Sequence, residues 1–564
     1  MKGEGMFRKG LMWILTLAVL TGMVGDAPAQ DRNKPLAVVS YAGYDRAMKT
    51  LEFIGQLAGK PEMAAGMEQM LKMMTGGQGL QGLDPQKPWG VVVRTEGSQI
   101  DGYAFFPVSD LKQLLTALTP LVGPATETGG MFKIERGAQT FYAKKQGSWA
   151  FVANKESQLS GLPDAPDALL GELPKDYLWA ARLFVANLPA DLRDRIVAQV
   201  QAVTQMIVQQ NQGPEQEVLR GRMQQSLAQL ERAAKELDQI TLGLEIDRQA
   251  RKAHLDLQIT ALPGTKAATD LAAAEHLKTD YAGFMESKAT VRGNWNAVAS
   301  TPPSTEELNK QIEVVRKQAL EQLESVGLTE EDLKTLRQIL DDVLDVARQT
   351  AATGRIDGGA LMVLDPTAAT AVVGGRIAAG AKLNAALKRL ADLATKTVPD
   401  TSAMIKMDAG TLAGMHLHTA SIPLPPDIQD REKLVKIVGE NLDVAVAVGD
   451  ESAFFALGRN ALATLKQVVE QSQAQRGKSV QPLQVTVAFV PLVRFIAEIG
   501  DEQTQQGFRR LYDLVKPLAG KDAVRVTAGS IPRGMQVRLE VEEAVLKAAA
   551  MSSPIGGPAV MPSP

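Results

Sequence analysis

The sequence predicts an α+β protein, two tandem copies of a mostly antiparallel sheet with helices packed on one face. Three observations lead there. Short runs alternate apolar and polar residues, the period of a strand with one buried face. Most of these runs are joined by two to five residues containing glycine, as in TEGSQ (95–99), ERGAQ (135–139) and KQGS (145–148), which is the spacing of hairpins between antiparallel neighbours. The apolar rhythm of the first half then returns in the second.

In chain order, LAVVSYAG (36–43) reads as a short strand and 44–74 as helical. Strands follow at 89–95 and 100–107. DLKQLLTAL (110–118) spaces Leu111, Leu114, Leu115 and Leu118 as one stripe of an amphipathic helix. Three short strands (131–136, 139–145, 148–153) lead to a short helix begun at Glu156 and Ser157, and then to a strand at 177–186. A long helical hairpin is expected at about 190–238, broken at Gly213-Pro214. Its second arm carries Leu219, Met223, Leu227, Leu230 and Leu237 on a narrow apolar stripe, the candidate partner-binding residues. The segment closes with the hairpin GLEIDRQARKAHLDLQI (243–259). Here Leu244 and Ile246 alternate with charges, and His254, Asp256 and Gln258 form a polar face expected to meet water.

That hairpin recurs as AVRVTAGSIPRGMQVRLEV (523–541). Leu242 lies over Val524 and Leu257 over Leu539, both at a spacing of 282 residues. Upstream, GVVV (90–93) lies over ALMV (360–363), and the leucine stripe lies over Leu383, Ala386, Leu387 and Leu390. MFKIERG (131–137) lies over MIKMDAG (404–410), FVANKESQL (151–159) over VAVGDESAF (446–454), and LWAARLFV (178–185) over LQVTVAFV (483–490). The second copy has a longer helical preface, with Ser304 to Glu307 as a capping box and Thr329 as a second N-cap. The expected domains are residues 30–285 and 286–550, with a Pro/Gly/Ser-rich, disordered tail at 551–564.

Residues 1–29 read as an export signal. Lys2, Arg8 and Lys9 precede the apolar run GLMWILTLAVLTGMVG, and APAQ offers cleavage near Ala29. The chain is therefore expected to be periplasmic or secreted, with no stable membrane span once mature. It contains 0 Cys, so disulfide scaffolds and thiolate metal sites are excluded. A net charge of −3 and an aromatic content of 5% give no footprint for nucleic acid or for stacking surfaces.

The chemistry-bearing motifs are few. There is no GxxxxGK[ST], GxSxG or HExxH, and neither a catalytic residue nor a cofactor is implied. His416 and His418 in MHLHT share a strand face and are the weak metal candidates; no third ligand stands at a defined spacing. The expected alternative is a solvent-facing pair alternating with Met415 and Leu417. Glu156 and Glu451 each precede Ser and are read as first-turn carboxylates favoured by a helix dipole. Lys133 and Lys406 alternate with apolar neighbours and should face water.

The stretches PWGVVV, GYAFFPVSDLKQLL and GSWAFVANKESQL, behind a signal and in a Cys-free tandem arrangement, resemble uncharacterised exported tandem-repeat proteins of planctomycete-type bacteria. That resemblance implies an exported location and carries no catalytic residues. The expectation is an exported, non-catalytic binding or scaffold protein whose partner is another envelope or secreted protein. The alternatives are a hydrolase of an envelope substrate, with carboxylates in a cleft between the copies, and a carrier of an apolar ligand.

Overall fold

The computed structural model describes residues 34–96, 99–210, 231–299, 304–324, 329–366, 368–397, 404–428 and 430–552. The expected signal, the tail beyond Ser552 and the candidates Leu219, Met223, Leu227 and Leu230 lie outside them. The chain divides into two compact units. One comprises the described parts of Met1–Ala267 and Glu540–Met561, the other Ala268–Leu539. Helices and antiparallel strands make up both, an α+β architecture. No helix among the described residues is long and apolar enough to cross a membrane.

In the first unit β1 (Ala37–Tyr41) is followed by helices α1 (Tyr44–Leu57) and α2 (Met63–Met74), then β2 (Trp89–Glu96) and β3 (Gln99–Pro107). Helix α3 (Leu111–Val122) leads to the meander β4 (Ala125–Thr128), β5 (Met131–Arg136), β6 (Gln139–Gln146) and β7 (Trp149–Ala153). Strand β8 (Trp179–Phe184), helix α4 (Ala190–Gln210) and the hairpin β9 (Leu237–Asp247) and β10 (Lys252–Ala261) complete it. Pairing gives the order β4-β5-β6-β7-β3-β2-β1-β8-β9-β10, antiparallel throughout. Leu237, read from sequence as the end of the helical stripe, instead opens β9 opposite Ala261. Residues 231–236 are helical, and the last turn yields to the sheet ladder at that point.

The expectation of one covered sheet face is corrected here. A pleated strand sends successive side chains to opposite faces. On β7, Trp149 and Phe151 join Phe105, Tyr103 and Val38 in one core, whereas Ala150 joins Phe141, Ile134 and the α3 stripe Leu111, Leu114 and Leu115 in another. The first of these cores is closed by Leu159, Leu170 and Leu173, from the short turns that follow β7. Periodicity could not register those turns as a cover because each is only three to five residues long. Each buried aromatic ring of this kind contributes about 1.5–3 kcal/mol. Helix α3 starts where it does because the Asp110 side chain accepts from the Gln113 backbone N–H at 3.1 Å, satisfying an orphan donor of the first turn.

The second unit opens with β11 (Lys278–Thr279), β12 (Val291–Val298), α5 (Thr305–Glu324) and α6 (Glu330–Ala352), the last capped by Thr329 as the sequence predicts. Then come β13 (Arg355–Asp365), β14 (Ala368–Arg376), α7 (Gly380–Thr397), β15 (Ile405–Leu412), β16 (Met415–Pro423), α8 (Arg431–Val438), β17 (Asn441–Val448), β18 (Ser452–Gly458) and α9 (Ala461–Ala474). Strand β19 (Lys478–Ser479) pairs with β11. The rest is β20 (Leu483–Ala488), α10 (Phe489–Ile499), α11 (Glu502–Val515), β21 (Ala523–Ile531) and β22 (Gly534–Glu542), whose residues from Glu540 on fall in the first unit. Here the order is β15-β16-β17-β18-β14-β13-β12-β20-β21. With β12 counted as the first strand of the second unit, leaving aside the short β11–β19 pair, in both units the first strand stands beside the second, the meander folds back onto the third, and the strand leading to the last hairpin pairs with the first.

One face of this sheet packs Leu417, Ala447, Phe454 and Ala456 against Leu465, Val468 and Val469 of α9. Phe284 and Phe454 stack 6.1 Å apart with an interplanar angle of 11°. The strands beneath them carry glycine for a steric reason: a Cβ on Gly359 would lie 2.4 Å from Phe284, and one on Gly374 would lie 2.4 Å from Phe454. The opposite face carries α7 over part of its width, and leaves Met362, Val373 and Phe455 at 40%, 44% and 40% exposure.

The C-terminal helix Glu543–Ser552 belongs to the first unit, where the sequence reading assigned most of it to the second domain. Ala550 and Leu546 pack with Phe53, Leu57 and Ile54 of α1. Arg251 pairs with Glu543 at 2.8 Å and lies over the Phe53 ring.

Candidate functional site

Asp357 occupies the same strand phase as Leu361, a carboxylate where the pattern calls for an apolar side chain. Its residue is only 3% exposed. Oδ1 accepts from the Thr279 hydroxyl at 2.5 Å and from Asn296 Nδ2 at 3.1 Å; Oδ2 accepts from the Asp280 backbone N–H at 3.1 Å. The Arg355 guanidinium stands 3.5 Å from Oδ2. Burial pushes the carboxyl above its ordinary range, and the Thr279 and Asp280 hydrogen bonds oppose that shift. Because a buried carboxylate requires its hydrogen bonds, these contacts fix the 279–281 segment in place.

The next residue is Tyr281. It is 3% exposed, with its ring 5.4 Å from that of Phe454. Its side chain lines a cavity of about 290 Å³ at the end of the sheet where the β15–β16 and β17–β18 turns meet the C-terminus of α9. No described protein group hydrogen-bonds its hydroxyl. Burial pushes the phenol up from its usual value; the charges of Asp357 and Asp280 add to this, and those of Arg376 and Arg355 oppose it more weakly. At the rim Arg376 pairs with Glu451 at 3.0 Å and Arg476 with Asp280 at 3.5 Å. Asp450 is exposed in the β17–β18 turn, which is pinned to α7 by Gly380 N–H donating to the Asp450 carbonyl at 3.0 Å.

The first unit holds a second buried carboxylate, Asp256 on β10, which is 0% exposed. Tyr177 donates its hydroxyl to Asp256 Oδ2 at 2.9 Å and accepts from Gln258 Nε2 at 3.0 Å. The ring lies over Gly243, where a Cβ would come within 2.6 Å of it. The expectation that His254, Asp256 and Gln258 face water is therefore corrected. This polar face is the covered one, while Leu255 and Leu257 are each 38% exposed.

His416 and His418 also depart from expectation. His416 is exposed and its Nδ1 lies 2.9 Å from Asp408 Oδ1. His418 is buried at 4% exposure, so the two do not both face solvent, although Met415 and Leu417 are buried as expected. His418 Nδ1 accepts from the Asp408 backbone N–H at 3.0 Å, and Nε2 meets Asn384 Oδ1 at 2.7 Å. Both ring nitrogens are thus engaged, which fixes the neutral Nε2–H tautomer and leaves no lone pair turned toward a metal. Among the described residues no group of three or more metal-ligating side chains converges.

Glu156 opens a short 3-10 turn, as read from sequence, but Glu451 sits in a strand-to-strand turn rather than at a helix start. Lys133 is exposed and pairs with Glu135 at 2.6 Å; Lys406 is exposed opposite Thr419. The sequence reading did not single out Asp357, Tyr281 or Arg376. One signal was present, the Asp of RIDGG in the buried phase of a strand. No protein-family model matches the chain, and neither curated proteins nor solved structures give a match.

Proposed function

We propose that the chain is an exported, non-catalytic binding or scaffold protein built from two related α+β modules, and that its ligand-facing site is the cavity of the second unit. One observation carries this reading: most of the cavity's described charged groups are committed to one another or to the fold. Arg376 is held by Glu451, Arg476 by Asp280, and Asp357 by three hydrogen-bond donors, which leaves the exposed Asp450 at the mouth as the carboxylate open to a ligand. The like strand order of the two units supports a common module, and the basic-apolar-small pattern ending at Ala29 supports export.

The test uses the chain recovered from a periplasmic or culture fraction. N-terminal sequencing is expected to begin at Gln30. Thermal-shift screening against fractionated envelope extract is expected to give a saturable shift, with no turnover of ester, glycoside or peptide substrates. Turnover that disappears in Asp357→Asn would overturn the reading. A second reading, a carrier of an apolar ligand, draws on the open Met362, Val373 and Phe455 face; saturable uptake of a fluorescent fatty acid, lost in Phe455→Asp, would favour it.

A further inference from the structure

Resting on that reading, we propose that the cavity lined by Tyr281 takes a small organic cation, an alkylammonium or guanidinium compound. The lining carries four carboxylates (Asp280, Asp357, Asp450, Glu451) against two guanidinium groups (Arg376, Arg476). Arg355 stands behind the wall beside Asp357 and leaves the balance negative.

A second observation is independent of that charge. Tyr281 is a nearly fully buried polar side chain whose hydroxyl faces the cavity with no protein partner. The oxygen itself is reached from the cavity, so it offers an acceptor to a ligand's N–H. The carboxylates surround a space of about 290 Å³ and do not converge on a point, and no described cluster is arranged to hold a metal ion. That spacing suits a cation whose several N–H donors are spread over a few atoms, which a bare ion is not. The Tyr281 and Phe454 rings form the apolar wall against which an alkyl chain would lie.

The experiment is isothermal titration calorimetry of the exported full chain, at low ionic strength, with putrescine and agmatine. 1,4-Butanediol and succinate serve as neutral and anionic matches. Saturable binding of the two cations, with neither match binding, is expected. Tyr281→Phe removes only an unpartnered hydroxyl, and it should weaken agmatine by about tenfold or more, the scale of one hydrogen bond to a charged group. Asp450→Asn, at an exposed turn, should weaken it by about twofold to fivefold. Urea unfolding of both variants should match the parent. Binding of succinate, binding of neither cation, or cation affinity unchanged in both variants overturns the assignment. The first two of these outcomes leave the binding reading standing, since that reading falls only with turnover or with a failed extract screen.

Discussion

Each unit buries an aspartate near a tyrosine, and the two pairs are wired differently. In the first unit Tyr177 gives its hydrogen to Asp256 and accepts one from Gln258, so its hydroxyl is saturated. In the second, Asp357 takes its donors from Thr279, Asn296 and a backbone N–H, and Tyr281 is left with a free hydroxyl over a cavity. A closed set of hydrogen bonds stabilises the fold. An open one holds capacity for something outside it. The same residue types therefore close on one another in one unit and leave a hydroxyl open in the other, and only the count of donors and acceptors separates them.

The contrast can be broken most severely at Gly243. Gly243→Val would drive its side chain into the Tyr177 ring and unseat the closed cluster, with an expected loss of about 3 kcal/mol in urea unfolding, at the upper end of overpacking costs. Next comes a paired comparison. Tyr177→Phe leaves Asp256 buried with one donor fewer and should cost about 1–3 kcal/mol, whereas Tyr281→Phe should stay within about 0.5 kcal/mol. Equal costs at the two positions would erase the distinction between closed and open clusters.

The smallest effect concerns His418, whose neutral ring is part of another closed set. Burial lowers its pKa; the Asp408 carboxylate opposes this, and Lys388 and His416 reinforce it. A depressed folded-state pKa contributes stability that is present above the unfolded value of about 6.5 and is lost as pH falls through the folded value. Urea midpoints at pH 7.5 and pH 5 should therefore drop more on acidification for the parent than for His418→Gln. An identical drop would show that the ring takes up its proton alike in the folded and unfolded chain, with no depression of its pKa.

Much of the backbone was legible in the residues. The strands expected at 89–95, 100–107, 131–136 and 139–145 agree within a residue or so with β2, β3, β5 and β6, because glycine turns bound them closely. What failed was identity and face. Laying 131–137 over 404–410 matches β5, an inner strand of its meander, with β15, the edge strand of its own. Alternation has the same period in every strand, so it fixes phase without saying which strand is which. The β10 hairpin misled in another way. Asp256 and Gln258 mark a polar face that lies under Tyr177, 79 residues upstream of Asp256, and no local window contains that ring. Asp357 is the counterpart. Its anomaly was visible in RIDGG, but its partners Thr279 and Asn296 come from two other segments. The candidate site is thus an outcome of topology, with one residue announced in advance.

The C-terminal helix on Phe53 and Leu57 has a consequence for assembly in time. Ribosomal synthesis runs from the N-terminus, and residues 268–539 must be made before that helix emerges. The part of the molecule begun first is therefore the part sealed last, and a nascent chain that has passed α1 but not reached Glu543 lacks the Leu546 and Ala550 cover on Phe53 and Leu57.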